Sequence, residues 1–211
     1  MAVDPGTAEK ADLALVLAVD GSASVTYEEF GLIANGMAAA LRDPTVESGL
    51  VGEGRVTLLA LLLWSGAGQH DVLVPWTRVH DAQTLAAFAQ LVEDMPRTVP
   101  AGRTAIGEAL LASLTLLANA PARVARGVVD VIGDGRSNDG IAPGPIRDRM
   151  TASGMTINGL CVLHEEPDLL DSYIAEVIGG PGSFAVICPD YAGFAQAMRR
   201  KLTREALGLS V

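Results

Sequence analysis

The stretch from Leu13 to Val25, LALVLAVDGSASV, is an apolar run that stops at Asp20 and then delivers Ser22 and Ser24 at alternate positions into one turn. The run has the length of a buried strand, and a helical pattern follows it. One carboxylate and two hydroxyls leaving a single loop suit a hard cation such as Mg²⁺, which takes oxygen donors and keeps positions for water or a partner. Two more oxygens are placed to join them. Thr104 lies at the first turn of a helical segment, just after Gly102, and Asp134 follows the buried stretch Gly127–Ile132 in the glycine-rich loop GDGRSNDG. Local roles compete with this reading: Asp20, Ser24 and Thr104 are residue types that cap helices, and Asp134 is a residue type found in turns.

Three neighbours could stand behind such ligands. Glu108, one helical turn after Thr104, could accept from a metal-bound water; Asp139 could support or replace Asp134; Ser65, after a predicted strand, could hydrogen-bond near the site. Each also fits an ordinary role as helix surface, loop acid or turn serine. His70, His80 and His164 are scattered, without the paired spacing of a zinc site.

These oxygens need a frame that brings strand ends together. The spacing predicts strands over 12–19, 55–64, 70–79, 127–132, 156–163 and 183–188. It predicts helices over 27–41, 81–94, 104–118, 145–152, 167–178 and 191–207, with a loop over 47–54. Thr26 with Glu29 makes a capping box at the first helix, and Arg42-Asp43-Pro44 reads as its end. Pro75 places the third strand at a sheet edge, as the antiparallel arm of a hairpin, because proline cannot donate to a ladder. The alternation implies an α/β fold: a Rossmann-like, doubly wound, mostly parallel six-stranded sheet with one antiparallel edge strand and helices on both faces. In such sheets ligands gather at the carboxyl ends of the strands, where Asp20 and Asp134 both fall.

Composition agrees. The 211 residues are 49% hydrophobic but only 4% aromatic, so the core must be built from Ala, Val, Leu and Ile, as in a sheet covered on both faces. One domain over 12–207 is expected, with an N-terminal tail 1–11 and a C-terminal tail 208–211. A formal net charge of −10 argues against a nucleic-acid or anionic-membrane surface. The basic cluster Arg199, Arg200, Lys201 and Arg204 reads as the solvated end of the last helix. No apolar run approaches the ~20 residues that span a bilayer, so direct membrane insertion is not expected. Cys161 and Cys188 fit buried free thiols, although pairing stays open if their strands are parallel neighbours in a suitable register.

Taken in order and on their elements, Asp20-Gly21-Ser22-Ala23-Ser24, Gly102-Arg103-Thr104 and Gly133-Asp134-Gly135 resemble the von Willebrand factor A (vWA) domain from about Asp12 to Leu207. The resemblance implies a metal-ion-dependent adhesion site (MIDAS). In it Ser22, Ser24 and Thr104 supply hydroxyl ligands, and Asp20 and Asp134 bind directly or through water. The cofactor it implies is a divalent cation, Mg²⁺ first, with Mn²⁺ or Ca²⁺ as alternatives. LLLWSGAG, VLVPWTRV, GRTAIGEAL and VIGGPGSF further resemble an uncharacterised single-domain bacterial branch whose members often carry export leaders. That likeness implies a periplasmic or secreted location, and the polar start after Met1 is compatible with a removed leader.

The function expected is a non-catalytic module that binds a partner protein through a carboxylate docked on the ion. Nucleic acid is not an expected partner. In relatives that switch, the ion's position is coupled to sliding of the C-terminal helix. The competing reading is a metal-assisted, phosphatase-like hydrolase with Ser22 or a metal-bound water as nucleophile. Against it, no residue is placed by motif as general base, and Gly21-Ser22-Ala23-Ser24 lacks the final glycine of a nucleophile elbow.

Overall fold

A computed structural model of the chain describes residues 9–208; the rest of the two expected tails lies outside them. Six strands form one sheet: β1 (Lys10–Asp20), β2 (Thr57–Trp64), β3 (His70–Val79), β4 (Arg123–Gly133), β5 (Thr156–Val162) and β6 (Ala185–Cys188). Their order is β3-β2-β1-β4-β5-β6, parallel except for the antiparallel β2–β3 pair at one edge. The helices are α1 (Tyr27–Leu41), α2 (Pro44–Val51), α3 (Ala82–Glu93), α4 (Ile106–Ala118), α5 (Pro143–Ala152), the short α6 (Leu169–Ser172) and α7 (Phe194–Leu207).

β1 is the central strand, and its alternation divides two cores. Leu13, Leu15, Leu17 and Val19 pack with α1, α2, α3 and α7, whereas Ala14, Val16 and Ala18 pack with α4, α5 and α6. Burial on both faces is why β1 reads as an unbroken apolar run. Chain progression reverses beside β1, which continues through β2 and β3 to one side and meets β4, β5 and β6 on the other. The carboxyl ends of β1 and β4 therefore flank the point where strand order switches, the place where open α/β sheets leave a crevice.

The expected elements are present, and the differences have local causes. Pro44, read as a stop, begins α2, which runs into the loop expected over 47–54: the Asp43 carboxylate accepts the Thr45 N–H at 2.8 Å, and proline at the first helical position sacrifices no bond. β4 starts at Arg123 rather than Gly127, because Lys10 and Ala11 extend β1 and give it a partner. Helix 167–178 is short α6 followed by a π-helical turn over Tyr173–Val177. The Thr26–Glu29 capping box forms as expected, and Pro75 lies in edge strand β3, opposite a register irregularity in β2.

The two cysteines do not pair. Register sets Cys161 opposite Ile187 and Cys188 opposite Val162, so the thiols face opposite sides of the sheet and join different cores. Lys201 corrects the reading of the basic cluster as solvated. It is fully buried, with Nζ 2.5 Å from both Asp130 Oδ1 and Glu205 Oε1. The helical period of α7 turns this one lysine inward while Arg199 and Arg200 stay exposed.

Candidate metal centre

Asp20 is the last residue of β1 and has no solvent exposure. Its Oδ1 accepts the Ser22 N–H at 2.7 Å, an Asx turn that starts the serine loop, while Oδ2 has no hydrogen-bond partner. Ser22 Oγ lies 3.2 Å from Ser24 Oγ, which donates to Asp134 Oδ1 at 2.7 Å. The Tyr191 hydroxyl donates to Asp134 Oδ2 at 2.9 Å. Ser22, Ser24 and Asp134 thus form one continuous chain of oxygens beside Asp20, across 110 residues of sequence between Ser24 and Asp134.

Thr104 reaches the same edge from the other side. It is buried and lies ahead of Ala105, the residue that precedes α4, so it does not occupy the N-cap. Its backbone is pinned by Asn138, which accepts the Thr104 N–H on Oδ1 at 3.0 Å and donates its own N–H to the Thr104 carbonyl at 2.9 Å. The Thr104 Oγ1 stands 3.6 Å from where a Cβ on Gly135 would be, immediately after Asp134. The serine and threonine loops are tied directly, the Ala23 N–H donating to the Gly102 carbonyl at 2.8 Å.

The three neighbours fall into two groups. Ser65 is buried below the threonine loop, its Oγ accepting the Gly102 N–H at 2.9 Å and its carbonyl accepting from Ala105. Glu108 and Asp139 hold the turn between β2 and β3: Glu108 accepts the Gly68 N–H, and Asp139 accepts the Ala67 N–H at 2.9 Å. That backbone bond, with one from Gly140, holds the Asp139 carboxyl below its usual range. The carboxylates of Glu108 and Asp139 are spent on this turn.

Ser24, Thr104 and Asp134 line an open cavity of about 400 Å³ whose rim includes Arg103, Asn138 and Glu166; Asp20 and Ser22 are buried behind it. Burial, with the Asp134 charge adding to it, pushes the Asp20 carboxyl up to about 7. Burial also raises Asp134, against the hydrogen bonds from Ser24 and Tyr191. Among the described residues neither carboxylate has an ion-pair partner. Arg97, the cation whose charge reaches Asp20, donates instead to the carbonyls of Gly21 and Ser22 at 2.9 and 2.7 Å. Two buried acids without a cation, beside three neutral hydroxyls, form a donor set of the kind an oxygen-seeking divalent ion takes. Among the described residues no three His, Cys, Asp or Glu side chains converge, so neutral donors here come from serine and threonine.

The sequence reading missed Tyr191, Arg97 and Tyr173. Tyr191 was assigned to the start of the last helix, but it sits in a 3-10 turn held by Asp190 ahead of α7. A tyrosine between the last strand and the last helix, at the edge where the aspartates lie, was the available signal.

The family described as protein of unknown function (DUF1194) matches residues 10–210. The chain belongs to that family. No curated protein matches the sequence. Solved structures give this DUF1194 member the vWA fold. A von Willebrand factor type A protein from Catenulispora acidiphila is 18% identical, with a TM-score of 0.61 over 94% of this chain and 43% of that one. Proximal thread matrix protein 1 of the mussel byssus, in a structure with a zinc-occupied MIDAS motif, is 14% identical, with a TM-score of 0.64 over 95% and 49%. The vWF domain of the type V pili tip protein Mfa5 from Porphyromonas gingivalis is 13% identical, with a TM-score of 0.63 over 95% and 97%. The DUF1194 chain therefore spans less than half of the first two structures and nearly all of the third. Its six-stranded sheet with one antiparallel edge is the doubly wound arrangement that the sequence predicts.

Proposed function

We propose that this chain is a divalent-cation-dependent protein-binding module. Asp20, Ser22, Ser24, Thr104 and Asp134 hold the ion, and a partner's carboxylate completes its shell from the cavity side. The observation that carries this reading is the run of oxygens from Ser22 through Ser24 to Asp134 beside Asp20, with two buried carboxylates and, among the described residues, no side-chain cation paired to either. A bound ion supplies the missing positive charge and an electrophilic site for an incoming acid. Mg²⁺ suits this hard oxygen set, with Mn²⁺ or Ca²⁺ as substitutes. The zinc-occupied MIDAS of the mussel protein supports a divalent cation in this fold, and the pilus-tip relative supports a role in surface assembly. A periplasmic or secreted location agrees with both.

The hydrolase reading is weaker. Among the described residues no His or Lys lines the cavity, and Ser22, the serine that reading would use as nucleophile, is buried behind it. Among the described residues no helix is long and apolar enough to cross a membrane.

Calorimetric titration with Mg²⁺ and Mn²⁺, followed by affinity capture from the native extract with and without EDTA, tests the proposal. The expected result is one cation site lost in Asp20→Ala, and capture that needs the cation and fails in Asp20→Ala. Metal-dependent turnover of phosphate or ester substrates, lost in Ser22→Ala, would reverse it in favour of the hydrolase.

A further inference from the structure

Behind the oxygen cluster, two fully buried residues each carry a polar atom with no hydrogen-bond partner: Asp20 Oδ2 and the Tyr173 hydroxyl. Asp20 ends β1, and Tyr173 opens the π-helical turn after α6. They converge at Gly133, the last residue of β4. A Cβ placed on Gly133 would lie 3.0 Å from Asp20 Oδ2 and 3.0 Å from the Tyr173 hydroxyl. Gly133 is not among the glycines with positive φ, so its backbone conformation is open to other residues. What a side chain there would take away is the space between the two oxygens. Gly159 on neighbouring β5 makes the same kind of concession, since its Cβ would stand 2.7 Å from the Tyr173 ring. Two adjacent strands thus give up side chains to admit one tyrosine whose hydroxyl points at the rear of the Asp20 carboxylate.

Two oxygens that each lie 3.0 Å from one point are within about 6 Å of each other, a gap that a single water closes with hydrogen bonds of ordinary length to both. We propose that Tyr173 is a positioning residue of the metal centre, its hydroxyl donating to a water held between it and Asp20 Oδ2, in the space a residue-133 side chain would fill, which in turn donates to Asp20 Oδ2. The proposal rests on the metal-centre reading above. With Ser22 N–H on Oδ1 and the Tyr173 water on Oδ2, the carboxylate is fixed in rotation from both oxygens, and its remaining lone pairs keep one direction. Such outer partners tune affinity because they set ligand orientation before the ion arrives.

The test is Mn²⁺ titration calorimetry on the full chain, wild type beside Tyr173→Phe, Gly133→Ala and the double variant, with melting in EDTA as a measure of the fold. Each single change is expected to weaken Mn²⁺ binding about tenfold, the first by removing the donor and the second by displacing the water. The double variant is expected to be no worse than the weaker single, because both break one link. Unchanged Mn²⁺ affinity in Tyr173→Phe, whatever its melting temperature, overturns the proposal, and so do additive losses. Should Tyr173→Phe not fold, unchanged affinity in Gly133→Ala overturns it. A wild-type chain that binds no Mn²⁺ overturns instead the metal reading on which the proposal rests.

Discussion

The protein buries two groups of carboxylates, one beneath α7 and one at the carboxyl edge of the sheet, and treats them in opposite ways. Asp130, on the α7 side of β4, and Glu205, on α7 itself, share the buried ammonium of Lys201, and Asn158 Nδ2 adds a hydrogen bond to Glu205 at 2.9 Å. Asp20 and Asp134, at the carboxyl edge, have only neutral donors and each other. Burial charges both groups a desolvation cost. One group carries its own counter-ion at a fixed place, and the sheet gains a clamp that sets the position of α7. The other has no ion-paired cation among the described residues and opens onto a cavity, which is the arrangement an exchangeable ion requires.

Titration states follow the same division. Burial and the Glu205 charge push Asp130 well above the usual carboxylate range. Burial also works against ionised Glu205, yet the Lys201 ammonium and its hydrogen bonds hold it below that range. Burial opposes the Lys201 charge too, but the two carboxylates together keep its pKa above the ordinary value. Lys201 therefore stays charged to a higher pH in the folded than in the unfolded chain. Its stabilisation is complete below the unfolded pKa and is lost as pH rises through the folded one.

The largest expected effect breaks the clamp. Lys201→Met keeps much of the buried volume but leaves Asp130 and Glu205 facing one another without a cation, and should cost about 3–5 kcal/mol at pH 7. Urea unfolding would measure it. The deficit should shrink on acidification, as the two acids take up protons. Loss of less than about 1 kcal/mol would remove the contrast between the two groups.

Next in size is the effect of the external ion. Saturating Mg²⁺ at a hundred times its dissociation constant should stabilise the wild type by about 2.7 kcal/mol, read as a rise in melting temperature over EDTA. Asp20→Asn should abolish that rise. In EDTA at pH 8, however, the variant should melt at or above the wild type, because Asn keeps an acceptor for Ser22 N–H and removes an uncompensated buried charge. The same kind of change that ruins the clamp should leave the apo fold of the other group unharmed.

How far this contrast was legible in sequence depends on range. Asp20, Ser22 and Ser24 were readable because they leave one strand end at alternate positions, and Asp134 because a glycine-rich loop follows an apolar run. The six strands and the antiparallel edge followed from apolar runs and Pro75. The partner choices were not readable. Lys201 looked like one of four solvated cations, since only the phase of α7 against β4 turns it inward to Asp130. Tyr191 and Tyr173 reach the site through tertiary approach, from helical turns whose period shows in the sequence but whose contacts do not. Cys161 and Cys188 differ by a single register step, which local pattern cannot supply but which decides the face of the sheet.

The third prediction concerns pH. The Asp20 carboxyl rises from an ordinary 3.8 to about 7 in the folded, ion-free chain, through burial first and the Asp134 charge second. A raised folded pKa means that the folded state holds its proton more tightly than the unfolded one. Stability in EDTA is therefore fullest below about pH 4 for this group and declines as pH climbs towards 7. Melting in EDTA should fall between pH 5 and pH 8, while in Mg²⁺ the decline should flatten, since the ion takes the proton's place. The Mg²⁺-induced rise in melting temperature should then grow with pH, and a rise that shrinks over that interval would contradict a shared site for proton and ion.

The smallest stability change, and the one that separates the two groups most finely, comes from deleting single hydrogen-bond donors. Asn158→Ala removes the amide from Glu205 and also the acceptor of the Phe184 N–H, both buried beyond the reach of water, so a loss of about 1–3 kcal/mol is expected whatever the metal. Ser24→Ala removes the donor to Asp134 Oδ1, but that loop is exposed and Tyr191 still serves Oδ2. Water can replace the lost hydroxyl, and melting in EDTA should move by less than about 1 kcal/mol. Mn²⁺ affinity should nonetheless fall by more than about tenfold, because the missing oxygen is a ligand and not merely one of its supports. A Ser24→Ala protein that melts far below wild type yet binds Mn²⁺ normally would place this serine in the fold's own scaffolding, on the same footing as Asn158.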